Sequence, residues 1–151
     1  MNYRKVTNDE IQELEIDFQS GLEFIGWYVD FPENTDWDDI FKFLKECVEI
    51  VKNNKVSFPI DRYENYEDIT YILGAVYAQC YTNKFGWEIV FLNDIEEYSL
   101  LSIDGKFGIR YHALLYKILT GLQENTIVLG YNMINKNIFP ENLTNKLEFI
   151  W

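Results

Sequence analysis

The chain has 151 residues, 48% hydrophobic and 17% aromatic, which is ample material for the core of one globular domain and too much for a disordered segment. It carries 25 Asp and Glu against 13 Lys and Arg, a formal net charge of -12. So acidic a surface repels phosphate backbones and anionic lipid, which sets aside nucleic acid and membrane as partners, and it attracts a basic protein.

The opening MNYRKVTNDE has no apolar stretch behind its basic residues, and the longest apolar run, Tyr71 to Ala78, is too short to cross a bilayer. The expected location is cytoplasmic. Thr7 and Glu10 form a capping box, and Ile11, Leu14 and Phe18 then recur at helical spacing. Gly21 can end that helix. Equally, Leu22, Ile25 and Val29 continue its apolar face, so a longer helix with a weak point at Gly21 stays open.

FPENTDWDD leads into a second helix, with Thr35 as the expected N-cap and Asp36, Asp38 and Asp39 at the positive end of its dipole. Trp37, Ile40, Phe41, Leu44, Val48 and Val51 make its stripe, and Asn53-Asn54 its stop. KVSFPIDRYE holds a short β-like run broken by Pro59, which suits an edge or a bend. From Asn65 onward, Ile69, Ile72, Leu73, Val76, Tyr77 and Cys80 predict the central helix, reaching about Lys84. Gly74, Ala75 and Ala78 leave small surfaces there for close approach by another element.

WEIVFL, YSLLSI and KFGIRY read as three strands of an antiparallel meander, joined by NDIEE and by an Asp104-Gly105 hairpin turn. Both faces of the first strand are mostly apolar, so it should be covered on both sides. A helix over His112 to Leu122 follows, with Leu115, Ile118, Leu119 and Leu122 inward; the β-branched residues of NTIVLGYNMI suit a strand while its spacing allows a short helix, and the helix is preferred. The tail should pack down through Phe139, Leu143, Leu147, Phe149 and Trp151. The expected fold is α+β, several helices packed on a small antiparallel β-meander, in a single domain over residues 1–151.

Few residues suggest chemistry. Cys47 and Cys80 lie in apolar helical patterns and read as reduced, buried core residues. Cys80, the only histidine, His112, and an aspartate formally supply a nucleophile, a base and an orienting group, yet no local signature joins them. His112 therefore reads as a cap or a hydrogen-bonded structural residue. One histidine and two distant cysteines do not make a zinc site, neither DWDD nor NDIEE has calcium-loop spacing, and GKFG is not a phosphate loop. No metal and no cofactor is expected.

Two acidic clusters remain: Asp36, Asp38 and Asp39, and Asp94, Glu96 and Glu97. The first also serves as helix-start charges and the second as a solvated connection. Eleven Tyr, eleven Phe and four Trp exceed what so small a core must hold, so some rings should reach the surface. Tyrosines beside carboxylates (Tyr63, Tyr66 and Tyr98) suit anchors for a basic partner. The candidate protein-binding residues are Asp36, Asp38, Asp39, Asp94, Glu96, Glu97 and Tyr98.

In order, LGAVYAQCY, FGWEIVFL, YSLLSIDGK and a short helix resemble a group of small bacterial domains of unknown function. In that group a helix bearing LG-x-x-(Y/F) precedes a tryptophan-containing strand and a meander. Some such relatives resemble immunity proteins that neutralise toxins delivered between bacteria. The resemblance covers Tyr71 to Ile134 and carries over no functional residue. It implies a non-enzymatic binding protein, an immunity-type inhibitor that occludes a basic toxin. The alternative is a small enzyme or ligand-binding domain with a pocket between the central helix and the sheet, near His112.

Overall fold

The computed structural model describes residues 2–32, 35–54, 65–142 and 144–151. Among them the order is β1 (Tyr3–Lys5), α1 (Asn8–Tyr28), α2 (Trp37–Asn54), α3 (Tyr66–Phe85), β2 (Glu88–Leu92), β3 (Glu97–Leu101), β4 (Phe107–Ile109), α4 (Tyr111–Leu119), α5 (Ile127–Asn135) and β5 (Glu148–Phe149). The class is α+β, as the hydrophobic periods predict.

α1 begins with the capping box, Thr7 accepting from the Glu10 N–H while Glu10 accepts from that of Thr7. It runs unbroken through Gly21. A Cβ on Gly21 would lie 2.3 Å from the Ile72 carbonyl oxygen and 2.6 Å from Val76 Cγ2, so the glycine marks a close crossing of α1 on α3, not a stop. α3 starts at the Asn65 cap, ends at Gly86 in the left-handed conformation (φ 71°), and buries Ile69, Leu73, Val76, Tyr77, Cys80 and Tyr81. Its apolar residues point in nearly every direction because α1, α2 and α4 all pack around it.

α2 starts differently from expectation. Asp36 Oδ1 accepts from the Asp39 N–H at 2.9 Å and is the capping side chain, while the Thr35 hydroxyl donates to the Pro32 carbonyl. Thr35 and Asp36 are both capping residue types, and Asp36, immediately before Trp37, takes the position.

The sheet order is β1-β2-β3-β4-β5, antiparallel except for β4 beside β5. The predicted meander is its centre. Asp104 and Gly105 (φ 72°) turn β3 into β4, with Asp104 accepting from the Ser102 hydroxyl and the Lys106 N–H. β1 and β5, of three and two residues, are too short for a period-2 pattern to announce them. Both faces of β2 are covered. Ile89 joins the main core, while Val90 and Leu92 form a second cluster with Leu101, against which Leu147 packs.

α4 stops at Leu119, where Gly121 takes φ 80°, so Leu122 is 76% exposed and not on the buried face. α5 is a helix, and its Gly130 admits the Trp151 ring. Phe139 stacks on Phe107. The KVSFPIDRYE run, Tyr63 within it, and Leu143 lie outside the described residues.

Candidate functional site

Helical spacing brings several polar and aromatic side chains to one place. Glu67, Thr70 and Tyr71 sit at i, i+3 and i+4 on the first turns of α3, and His112 and Tyr116 are four apart on α4. The turn Asn93–Glu96 and the start of β3 close the third side with Ile95, Glu96, Glu97 and Tyr98. Together they line an open cleft of about 480 Å3. Tyr71 (47% exposed), Tyr116 (44%) and Ile95 (37%) present unburied apolar surface on it.

The cleft's charges are unequally engaged. Glu97 pairs with Arg110, whose Nε donates to Oε1. Neither Glu67 nor Glu96 has a side-chain hydrogen bond or ion pair among the described residues. Glu96 also stands at φ 51°, a conformation in which glycine or asparagine is the favoured occupant. Tyr98 donates its hydroxyl to Glu10 Oε2 at 3.1 Å, and its phenol pKa is pushed up to about 12, by burial first and by that carboxylate second.

His112 lies at the base of the cleft. Its ring edge rests on Gly74, where a Cβ would come within 2.5 Å of Cδ2, and the Tyr111 and Tyr71 rings meet it edge-on at 4.5 and 4.9 Å. Burial pulls its pKa down to about 4, so the ring is neutral at pH 7. The sequence suggested a cap or a hydrogen-bonded histidine. The imidazole is held by rings instead, and no hydrogen bond to it is present among the described residues. Cys47 and Cys80 are free and buried; burial drives the Cys47 thiol up to about 12 and that of Cys80 higher still, so both remain protonated at neutral pH.

The two predicted acidic clusters are not one surface. Asp38 accepts from the Tyr131 hydroxyl at 2.6 Å and from Lys84 Nζ at 3.1 Å, which ties α2 to α5 and to the C-terminal end of α3. Those two bonds, the tyrosine's first, hold its pKa below the usual aspartate value. Asp36 is the α2 cap, and Asp39 lies 4.0 Å from Lys42. Glu67 in the cleft and Lys84 beside Asp38 are seventeen residues apart on α3, about 25 Å at 1.5 Å per residue. Of the second cluster, Glu96, Glu97 and Tyr98 line the cleft, whereas Asp94 accepts from the Asn2 N–H and ties β1 to the turn.

Glu67, Tyr71, Ile95 and Tyr116 were not among the sequence candidates. Their signal was present: Tyr71 lies off the α3 stripe, and Tyr116 is absent from the inward set of α4. Among the described residues, four other tyrosines are buried. Tyr77, Tyr81 and Tyr111 are fully buried, in a run of rings that includes Phe41 and Tyr131, so the aromatic excess reaches the surface at few places.

Among the described residues, no group of three or more His, Cys, Asp or Glu is placed to share a metal ion, and no helix is long and apolar enough to cross a membrane. No family model, curated protein or solved structure matches this chain. The chemistry of the cleft is therefore the guide to its use.

Proposed function

We propose that this chain is a non-enzymatic binding protein of the bacterial cytoplasm, an immunity-type inhibitor that occludes a basic toxin through the face containing the cleft. One observation carries the reading: exposed tyrosines and unpaired carboxylates converge on the same concavity. Exposed apolar surface rimmed by charge is where proteins meet partners, and tyrosine supplies much of the energy at such contacts. The carboxylates add attraction for a positive surface, within a molecule of net charge -12 that accelerates such an encounter. Inhibition of this kind requires only that the partner's working surface be covered, with no covalent bond made or broken.

The test is capture of a basic protein from the bacterial host at low salt, repeated with two double variants. Glu67→Lys with Glu96→Lys should abolish capture, while Asp36→Asn with Asp39→Asn should leave it within about twofold. Capture unaffected by the cleft variants, or lost only with the α2 variants, contradicts the proposal.

The cleft also supports a second reading, a small-molecule site or small enzyme around His112, because about 480 Å3 lies within the range of ligand pockets. Against it, a base with a pKa near 4 is weak at pH 7, and among the described residues no carboxylate hydrogen-bonds to the ring to orient it. His112→Ala that folds normally and loses a measured activity would favour that reading over the first.

A further inference from the structure

The two unpaired carboxylates line the cleft beside Tyr71 and Tyr116, rings about half exposed, and this combination specifies a guest more narrowly than "basic surface". We propose that the cleft receives an arginine side chain of the partner, its guanidinium bonded by Glu67 and Glu96 and its plane lying against Tyr71 or Tyr116. This deepens the reading given under Proposed function and rests on it.

Three observations lead here. First, among the described residues the cleft is lined by three carboxylates but by no lysine or arginine, and only Glu97 is neutralised, by Arg110. A cation entering the cleft finds Glu67 and Glu96 unengaged.

Second, the chain already holds one of its own arginines in this way, on a carboxylate that also bonds Tyr98, a residue lining the cleft. The Arg4 guanidinium lies 4.3 Å from the centre of the Phe91 ring and forks onto Glu10 at 2.7 and 3.0 Å, and Glu10 also accepts from Tyr98. Ring face plus carboxylate is the environment that suits a planar, delocalised cation; an ammonium offers neither the plane nor the fork.

Third, Glu96 occupies a left-handed turn position where a β-carbon is disfavoured, in a four-residue connection between Leu92 and Glu97. Glycine would relieve the strain. Among the described residues the Glu96 side chain has no hydrogen bond or ion pair, so nothing there offsets the conformational cost of the carboxylate. Its position on the cleft gives it a use.

The guest's size is also bounded. At about 480 Å3 the open cleft has room for one long side chain and part of its backbone, not for a helix, which is 10–12 Å across with its side chains.

The experiment needs no partner. Nα-acetyl-arginine N-methylamide is titrated into the full chain at low salt and followed by NMR, beside the citrulline analogue, which has nearly the same shape without the charge, and the lysine analogue. The arginine compound should shift resonances of Tyr71, Glu96, His112 and Tyr116 saturably, with an affinity in the millimolar range expected for so small a ligand. Citrulline should bind at least tenfold more weakly and lysine several-fold more weakly. Glu67→Gln and Glu96→Gln should each weaken arginine binding about three- to tenfold. Glu96→Gly should weaken it as much while raising the melting temperature, which separates loss of a ligand contact from loss of fold.

Saturable shifts that lie elsewhere, equal binding of citrulline or lysine, no saturable shift up to about 50 mM arginine compound, or glutamate variants that bind normally would each overturn the inference. The two proposals fail separately. A captured protein partner with no arginine binding in the cleft leaves the interface standing and removes the arginine, while arginine binding without a protein partner does the reverse.

Discussion

Glu10 shows how much one side chain fixes where the sequence displays only a capping motif. Its carboxylate accepts from both terminal nitrogens of Arg4, from the Thr7 N–H and from the Tyr98 hydroxyl, joining β1, the start of α1 and β3. The Arg4 bonds come first in lowering its pKa to about 2. Because the folded pKa lies below the unfolded value of about 4.3, the contribution to stability is complete above that value and disappears as pH falls toward 2. Glu10→Ala should cost about 1–2 kcal/mol at pH 7, read from urea midpoints, and much less at pH 2.5. His112 works in a different window. Its neutral ring is favoured by burial, so its contribution is complete above about pH 6.5 and declines as pH falls toward 4. Relative to His112→Gln, the natural chain should lose about 1 kcal/mol between pH 7 and pH 5, a figure reduced for the partly exposed ring edge. Equal losses in both proteins would show that the ring protonates freely.

At the scale of elements, the crossing of α1 on α3 turns on Gly21. Alanine there gains about 1 kcal/mol of helix propensity but sets a Cβ 2.3 Å from the Ile72 carbonyl oxygen, and backbone cannot swing aside as a flexible side chain can. The clash should win. Gly21→Ala is expected to destabilise the chain by about 2 kcal/mol or more and to lower Tm by about 5 °C; an unchanged or raised Tm would mean that the helices can separate without loss. The same residue shows the limit of periodicity as a guide. Spacing found the apolar faces of α1, α2 and α3, but it could not distinguish a glycine that ends a helix from one that lets another helix touch it. That difference lies in α3, fifty residues away. The meander was legible because β2 and β3 are five residues each and an Asp-Gly turn follows them, whereas β1 and β5 gain their structure from pairing with β2 and β4. Leu122 misled for a local reason: Gly121 at positive φ ends α4 before the apolar spacing does.

For the whole molecule, net charge gives a direction and the fold gives a place. The sequence showed two acidic clusters with equal claims, and composition has no means of choosing between them. Folding engages Asp36 and Asp38 in a cap and an inter-helix tie at one end of α3, and opens Glu67 and Glu96 on a cleft about 25 Å away. Tyr98 was found by its neighbouring carboxylates, but Tyr71 and Tyr116 could be found only by noticing which rings fall off the apolar stripes, because many of the rings pack in the core. A surface charged in this way should lose a basic partner mainly through slower association, with the on-rate falling about 10- to 100-fold between 20 and 500 mM salt and the off-rate changing little. The most direct examination of the central claim is hydrogen exchange of the complex with the captured partner. The account predicts protection at residues 66–71, 93–98 and 110–116, with exchange at 36–42 unchanged; protection concentrated at the start of α2, with the cleft still exchanging freely, would contradict it.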